Sequence, residues 1–272
     1  MRPRDGRRTV HGMADEDLPP RLTRLTFHGP LSEERADRLV ARLARREPAG
    51  VLDIGCGWGE LMLRLLEAAP GARGVGIDLN GDDLARGRRS AEERGLLGRA
   101  RFLEESATNT PHGPADVVLC VGSGQALLGP DGAGASGALP ATTAALRALR
   151  SLVVPGGRVL FGEGFWQRVP APEELAAMWP DARADDHLLL ADVAEAATAA
   201  GFRVEAIETA GESEWEDFES GYLADVEEWL ARNQGHPLAC STRERVDRHR
   251  ASWLRGYRNV LGLAYLTLIP VA

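Results

Sequence analysis

The chain is 272 residues long with a formal net charge of −8, so it lacks the basic face that releases counterions from a phosphate backbone, and nucleic acid is excluded as a general partner. No apolar run approaches the roughly 20 residues of a bilayer-spanning helix and no hydrophobic signal segment precedes the first polar stretch. A cytoplasmic protein without a membrane partner is therefore expected. Every basic side chain other than histidine is arginine, which removes a Schiff-base or phosphate-loop lysine from consideration.

Residues 1–20, with Arg2, Arg4, Arg7 and Arg8 ahead of Asp15, Glu16 and Asp17, have no apolar periodicity and read as a flexible tail. The remainder, 21–272, reads as a single domain: a helical cap over 21–50, a core over 51–210, a helical lid over 211–260 and a last strand over 261–272. In the cap, Ser32 is a good N-cap for a helix with Ala36, Leu39, Val40 and Leu43 on one face. Val51, Leu52 and Ile54 form a short buried strand containing Asp53. It runs into Gly55, Gly57 and Gly59, where the backbone can take positive φ and approach a ligand. A helix carrying Leu61, Met62, Leu65 and Leu66 follows, then a strand from Gly74 to Leu79 with Asp78 near its C-terminal edge. At that edge of a doubly wound sheet a carboxylate can accept both hydroxyls of a ribose.

Arg101 to Leu103 and Ala115 to Val121 read as the third and fourth strands. Gly129 to Pro140 reads as a flexible surface connection. Leu146 to Phe161 gives a helix, a Pro-Gly-Gly turn and a fifth strand. A helix over Asp186 to Ala200 leads to a sixth strand, Phe202 to Ile207. Then Trp215, Phe218, Tyr222, Val226 and Trp229 recur at helical spacing, a second helix is expected from Thr242 to Val260, and Gly262 to Val271 is the last strand.

The run from Val51 to Glu60, V-L-D-I-G-C-G-W-G-E, followed by G-V-G-I-D-L, resembles motif I and the acidic loop of the class I S-adenosylmethionine (SAM) dependent methyltransferases. The later strands and the Pro-Gly-Gly turn fall at matching intervals, and the tail is similar to that of a stand-alone bacterial branch acting on small molecules. The resemblance implies an α/β, Rossmann-like doubly wound sheet of about seven strands, mostly parallel with the last antiparallel. It implies SAM as cofactor and S-adenosyl-L-homocysteine (SAH) as product. It assigns the cofactor to Asp53, Gly55, Gly57, Gly59, Asp78, Leu79, Ser106, Ala107, Val121 and Gly122. Ser106 stands where the family commonly has an acid for the adenine amino group, and Glu104 and Glu105 lie close enough to substitute. A nicotinamide oxidoreductase ranks lower, because G-x-G-x-G lacks the third glycine position of dinucleotide sites and Asp53 sits badly beside a pyrophosphate. A SAM-binding regulatory or partner subunit without catalysis is the other alternative.

Methyl transfer from a sulfonium depends mainly on alignment and exclusion of water, and needs a base only where the acceptor must lose a proton. The acceptor site is expected at the ends of strands four and five. Glu163, between Gly162 and Gly164, is a candidate general base or anchor for an amine. His28, in Phe27-His28-Gly29-Pro30-Leu31, could touch cofactor or acceptor, or be an ordinary turn histidine. Gln125 is expected to orient the acceptor, with Trp166, Trp215 and Tyr222 as aromatic walls under the lid. Cys56, Cys120 and Cys240 show no metal spacing and the six histidines form no close set, so no metal is expected. The partner is a small-molecule acceptor, and the chain is a monomer or homodimer.

Overall fold

The computed structural model describes residues 21–129 and 137–271. The expected tail and much of the Gly129 to Pro140 connection lie outside them. Helix α1 is Glu33–Ala44; Ser32 caps it by accepting from the Arg35 amide, and Ala36, Leu39, Val40 and Leu43 are buried. Strand β1, Gly50–Ile54, enters the glycine loop, and α2, Glu60–Ala68, starts from Gly59 in the left-handed conformation. There follow β2 (Arg73–Asp78), α3 (Gly81–Glu93), β3 (Ala100–Glu104), β4 (Ala115–Val121), α4 (Ala138–Leu152) and β5 (Val153–Trp166). Beyond β5 lie α5 (Pro172–Ala177), the two-residue β6 (Leu188–Leu189), α6 (Leu190–Ala199), β7 (Phe202–Thr209), α7 (Glu212–Arg232), α8 (Ala239–Ser252) and β8 (Leu261–Pro270).

The strands form one sheet in the order β3-β2-β1-β4-β5-β8-β7, with β6 added beside the end of β5. β8 runs antiparallel to both neighbours, while β1 to β5 pair in parallel. Strand order reverses between β1 and β4, so their C-terminal ends open a crevice of the kind that receives ligands in α/β sheets. Each sheet face carries its own apolar layer. One contains Leu52, Ile54, Val159, Phe161 and Phe165 beside α4 and α6; the other contains Val51, Leu160, Leu263 and Tyr265 beside α1 and α2.

The expected elements are present with shifted ends. The helix before β7 begins at Leu190 rather than Asp186, because the Asp186 carboxylate holds a turn by accepting from the Trp179 indole and the Arg183 amide. The helix expected over Thr242 to Val260 begins at Ala239 and ends at Ser252, where it widens into a π-turn over Trp253–Tyr257 and then reverses at Asn259, φ 60°. Helices α7 and α8 pack through Leu223, Trp229, Leu230, Ala239 and Val246. Among the described residues no helix is long and apolar enough to cross a membrane.

Candidate active site

The glycine loop is fixed from two sides. The Gly57 amide donates to Asp78 Oδ2 at 2.8 Å and the Asn80 amide to Asp78 Oδ1 at 2.9 Å, tying the loop to the end of β2. Beyond β4, Ser123 Oγ donates to the Ile54 carbonyl at 2.6 Å. A Cβ on Gly55, at φ +60°, would lie 2.4 Å from the Ser123 Cβ, so only glycine lets β1 and the β4 loop approach this closely.

Two clefts meet over this loop and share Gly55 and Gly122. One, of ≈ 260 Å³, is lined by Asp78, Leu79, Glu105, Ser106, Ala107, Ser123 and Gln125 among others. The other, of ≈ 190 Å³, is lined by residues including Phe27, His28, Asp53, Trp58, Glu60, Val121, Phe218, Leu263 and Tyr265. A Cβ on Gly122, where φ is +66°, would meet nothing within 4 Å and so would project into open space at their junction.

The roof of the second cleft is a strap, residues 21–32. The Trp58 indole donates to the Thr26 carbonyl at 2.7 Å and the Tyr265 hydroxyl to the Pro30 carbonyl at 3.0 Å. Arg86 lies over the Trp58 ring at 3.9 Å and donates to the Leu22 and Leu25 carbonyls. The His28 ring stacks on Trp58 with centroids 5.0 Å apart. Helix α7 holds both ends of the strap: Asp225 accepts from the Thr23 amide and hydroxyl, and Glu214 from the Ser32 amide and hydroxyl.

Asp53 is 7% exposed and makes no hydrogen bond through its carboxyl among the described residues. Burial, reinforced by the charge of Asp78, pushes its pKa up to about 8. A partnerless buried carboxyl in a cleft is chemically suited to a cation. Burial lowers the pKa of His28 below its usual range, and Arg21 and Arg86 act in the same direction against Asp83 and Asp78. Glu60 is engaged by Arg64 and Arg94.

Nine of the residues expected to hold the cofactor line these clefts or form their floor: Asp53, Gly55, Gly57, Asp78, Leu79, Ser106, Ala107, Val121 and Gly122. Gly59 lies behind them, where its added Cβ would strike Phe102 at 2.6 Å. The Ser106 hydroxyl accepts from the Thr108 amide. Glu105, bonded to His112 Nε2 at 2.8 Å, lines the first cleft, whereas Glu104 packs against Gly81.

The expected acceptor set is largely dispersed. Gln125 lines the cleft of Asp78 and Ser106, not the one beneath the strap. Trp166 is 2% exposed and spends its indole N–H on the Ala184 carbonyl. Tyr222 stacks on His249 at 4.8 Å. Trp215 bridges the β8 layer to the cluster of Met178 and Tyr257 without lining either cleft. Helical spacing carries Phe218, from the same stripe, over the cleft instead.

Glu163 also lies elsewhere. Alternation along β5 puts it on the face of Val159, Phe161 and Phe165, opposite the face of Leu263 and Tyr265. It lines neither cleft and sits beside Gly124, with burial pushing its pKa up to about 7. Between its ordinary 4.5 and about 7 the folded state keeps a proton that the unfolded chain has lost, so its contribution to stability falls as pH rises. Glu163→Gln removes that penalty. Its melting temperature is expected to exceed the wild type's at pH 8, by up to about 3 kcal/mol of stability, and to match it near pH 5. An unchanged midpoint at pH 8, read by circular dichroism, would contradict a strained carboxylate.

Trp58, Leu263 and Tyr265 were not singled out from sequence, and Phe218 was named only as one member of the aromatic stripe. Trp58 stood inside the glycine motif, but nothing local shows that its ring supports His28. Tyr265 reads as strand core, and its hydroxyl finds Pro30 only through the antiparallel return of β8.

A family model described as a methyltransferase domain matches residues 51–157. YjhP of Escherichia coli K12 is 28% identical over 244 residues, 89% of this chain and 93% of its own. The X-ray structure of YjhP has a TM-score of 0.75, covering 92% of this chain and 100% of that one. A SAM-dependent methyltransferase from Geobacter sulfurreducens, crystallised with SAH, has a TM-score of 0.76 at 26% identity, covering 92% and 98%. The demethylmenaquinone methyltransferase of Thermus thermophilus is 43% identical over 95 residues, 35% of this chain and 40% of that protein. The methyltransferase domain over 51–157 and a fold matched over 92% of the chain by structures that include a SAH-bound methyltransferase identify the chain as a class I, Rossmann-like SAM-dependent methyltransferase.

Proposed function

We propose that the chain transfers the methyl group of SAM to a small molecule held beneath the strap, with α7 and α8 as its lid. The observation that supports this most is the joining of the two clefts at Gly55 and Gly122. The first fits the nucleoside, with Asp78 toward the ribose hydroxyls and Leu79, Ala107 and Glu105 around the base. The second fits the amino-acid arm and a small acceptor, with Asp53 toward the cationic amino group. Bound there, SAM supplies a methyl group already activated on a sulfonium sulfur. The protein's part is to align the acceptor and exclude water, which well-oriented groups convert into roughly 7–11 kcal/mol of barrier. Demethylmenaquinone, the substrate of the Thermus relative, is not carried over, since that match spans less than half of either protein.

Incubation with methyl-labelled SAM and a small-molecule extract of the host cell, read by mass spectrometry, tests this reading. A labelled metabolite supports it; label confined to macromolecules, or no label despite SAM binding, rejects it. The Asp53 assignment has its own test. With a free-state pKa of about 8, Asp53 is mainly protonated at pH 7 and gives up that proton when a cation pairs with it. SAM affinity is therefore expected to rise with pH up to about 8, by at most tenfold per unit, and calorimetry in buffers of different ionisation enthalpy should show about one proton released. Asp53→Asn should abolish the release.

A further inference from the structure

We propose that the acceptor is an uncharged, largely apolar molecule presenting one weakly acidic O–H or S–H, a phenol or a thiol, to the His28 imidazole; this rests on the small-molecule reading above. The cleft beneath the strap is walled by Phe27, Leu31, Leu61, Val121, Phe218 and Leu263. The charged residues lining the two clefts are the acids Asp53, Glu60, Asp78 and Glu105; among the described residues no arginine lines either, and the chain has no lysine. The nearby arginines are committed elsewhere. Arg64 and Arg94 hold Glu60, and Arg86 holds strap carbonyls while stacked on Trp58. Arg21 acts on His28 through space without lining the cleft. An anionic acceptor would find acidic side chains and no lining cation to pair it. A cationic amine would compete with the cofactor's amino group for Asp53, the one cleft acid buried without a partner.

His28 is the polar group left for the acceptor. Neither ring nitrogen bonds to another described residue, and Nδ1 faces the glycine loop, 3.5 Å from where a Gly57 Cβ would stand. Stacking on Trp58 fixes the ring plane. Burial with Arg21 and Arg86 disfavours the imidazolium more than Asp83 and Asp78 favour it, while Asp53, Cys56, Glu60 and Tyr265 are the other titratable groups lining the same cleft, the Cys56 thiol facing the Gly57 carbonyl. A neutral imidazole of low basicity takes a proton from a thiol (pKa about 8.5) or a phenol (about 10) as bond formation proceeds more readily than from the far less acidic hydroxyl of an aliphatic alcohol. The acceptor oxygen or sulfur bonds to the methyl carbon as the carbon–sulfonium bond breaks. That electron pair stays on sulfur, giving the neutral thioether, and the acceptor proton passes to the free nitrogen of His28 and then to water.

The test is calorimetry of the SAH-loaded protein with 2-naphthol, thiophenol and 2-naphthol-6-sulfonate, followed by turnover of each with SAM. 2-Naphthol or thiophenol is expected to bind and be methylated, with the sulfonate at least about 100-fold weaker. His28→Gln should lose about 100-fold or more in turnover while SAH affinity stays within threefold. The acid limb of the wild-type pH–rate profile, lying below the ordinary histidine range, should vanish in that variant. Equal binding of the sulfonate, binding of none of the three, or full turnover by His28→Gln overturns the inference. A labelled anionic metabolite in the extract experiment overturns this acceptor class alone, whereas no labelled small molecule overturns the underlying reading as well.

Discussion

Asp78→Ala is expected to weaken SAM and SAH binding by about 100- to 1,000-fold, roughly 3–4 kcal/mol. An ionised carboxylate offers about four lone-pair sites. The Gly57 and Asn80 amides occupy two of them, leaving one on each oxygen for the two hydroxyls of a ribose. Hydrogen bonds to a charged group contribute about 1.5–3 kcal/mol each, so losing both accounts for most of the effect. The remainder comes from freeing the Gly57 amide, which loosens a loop already held in left-handed backbone. Asp78→Asn keeps one good acceptor and should fall between the two. Calorimetry with SAH measures the series, and a melting midpoint near wild type shows that the sheet is intact. Retention of binding within tenfold in Asp78→Ala would place the ribose elsewhere.

The glycine-loop half of the crevice was legible in sequence because its geometry is local. Asp53, the three glycines and Asp78 lie within two adjacent strands and their turns, so spacing alone specifies their juxtaposition. Glu163 shows where such reading stops. A carboxylate between two glycines at the end of a strand looks like a ligand group, but a strand has two faces, and which one Glu163 takes is decided by pairing with β8, a hundred residues later in the chain (Glu163 opposite Ala264). The aromatic stripe of α7 was likewise visible as a stripe. Its placement depends on the start of the helix at Glu212, which brings Phe218 over the cleft and carries Tyr222 one turn past it. The strap was the least legible part, since its roof-like path depends on Asp225, Glu214, Trp58, Arg86 and Tyr265, all remote from it in sequence.

Those anchors tie the strap to α7, and Glu214 is the main joint between them. Its carboxylate receives the Ser32 amide and hydroxyl, the Gly211 amide, and Arg35 through both Nε and Nη2. Burial alone would raise its pKa, but the bonds from Arg35, Gly211 and Ser32 outweigh burial and hold it at about 2. A depressed carboxylate stabilises the fold fully above its ordinary 4.5 and loses that contribution as pH falls toward 2. The shift corresponds to about 3 kcal/mol. Glu214→Ala goes further, because it strands Arg35, whose side chain is 14% exposed, with Glu208 as its remaining ion-pair partner. Breaking a buried pair by removing one member costs about 3–5 kcal/mol, which for a chain of this size lowers the melting temperature by on the order of 10 °C. Because Glu214 lies outside the cleft beneath the strap, any loss of SAH affinity in the variant must come through the roof it holds. Urea unfolding at pH 7 and at pH 3 separates the terms: the wild type should lose part of its advantage over Glu214→Ala as the carboxylate is titrated. A variant as stable as wild type at pH 7 would mean that the strap is held to α7 by Asp225 and apolar packing instead.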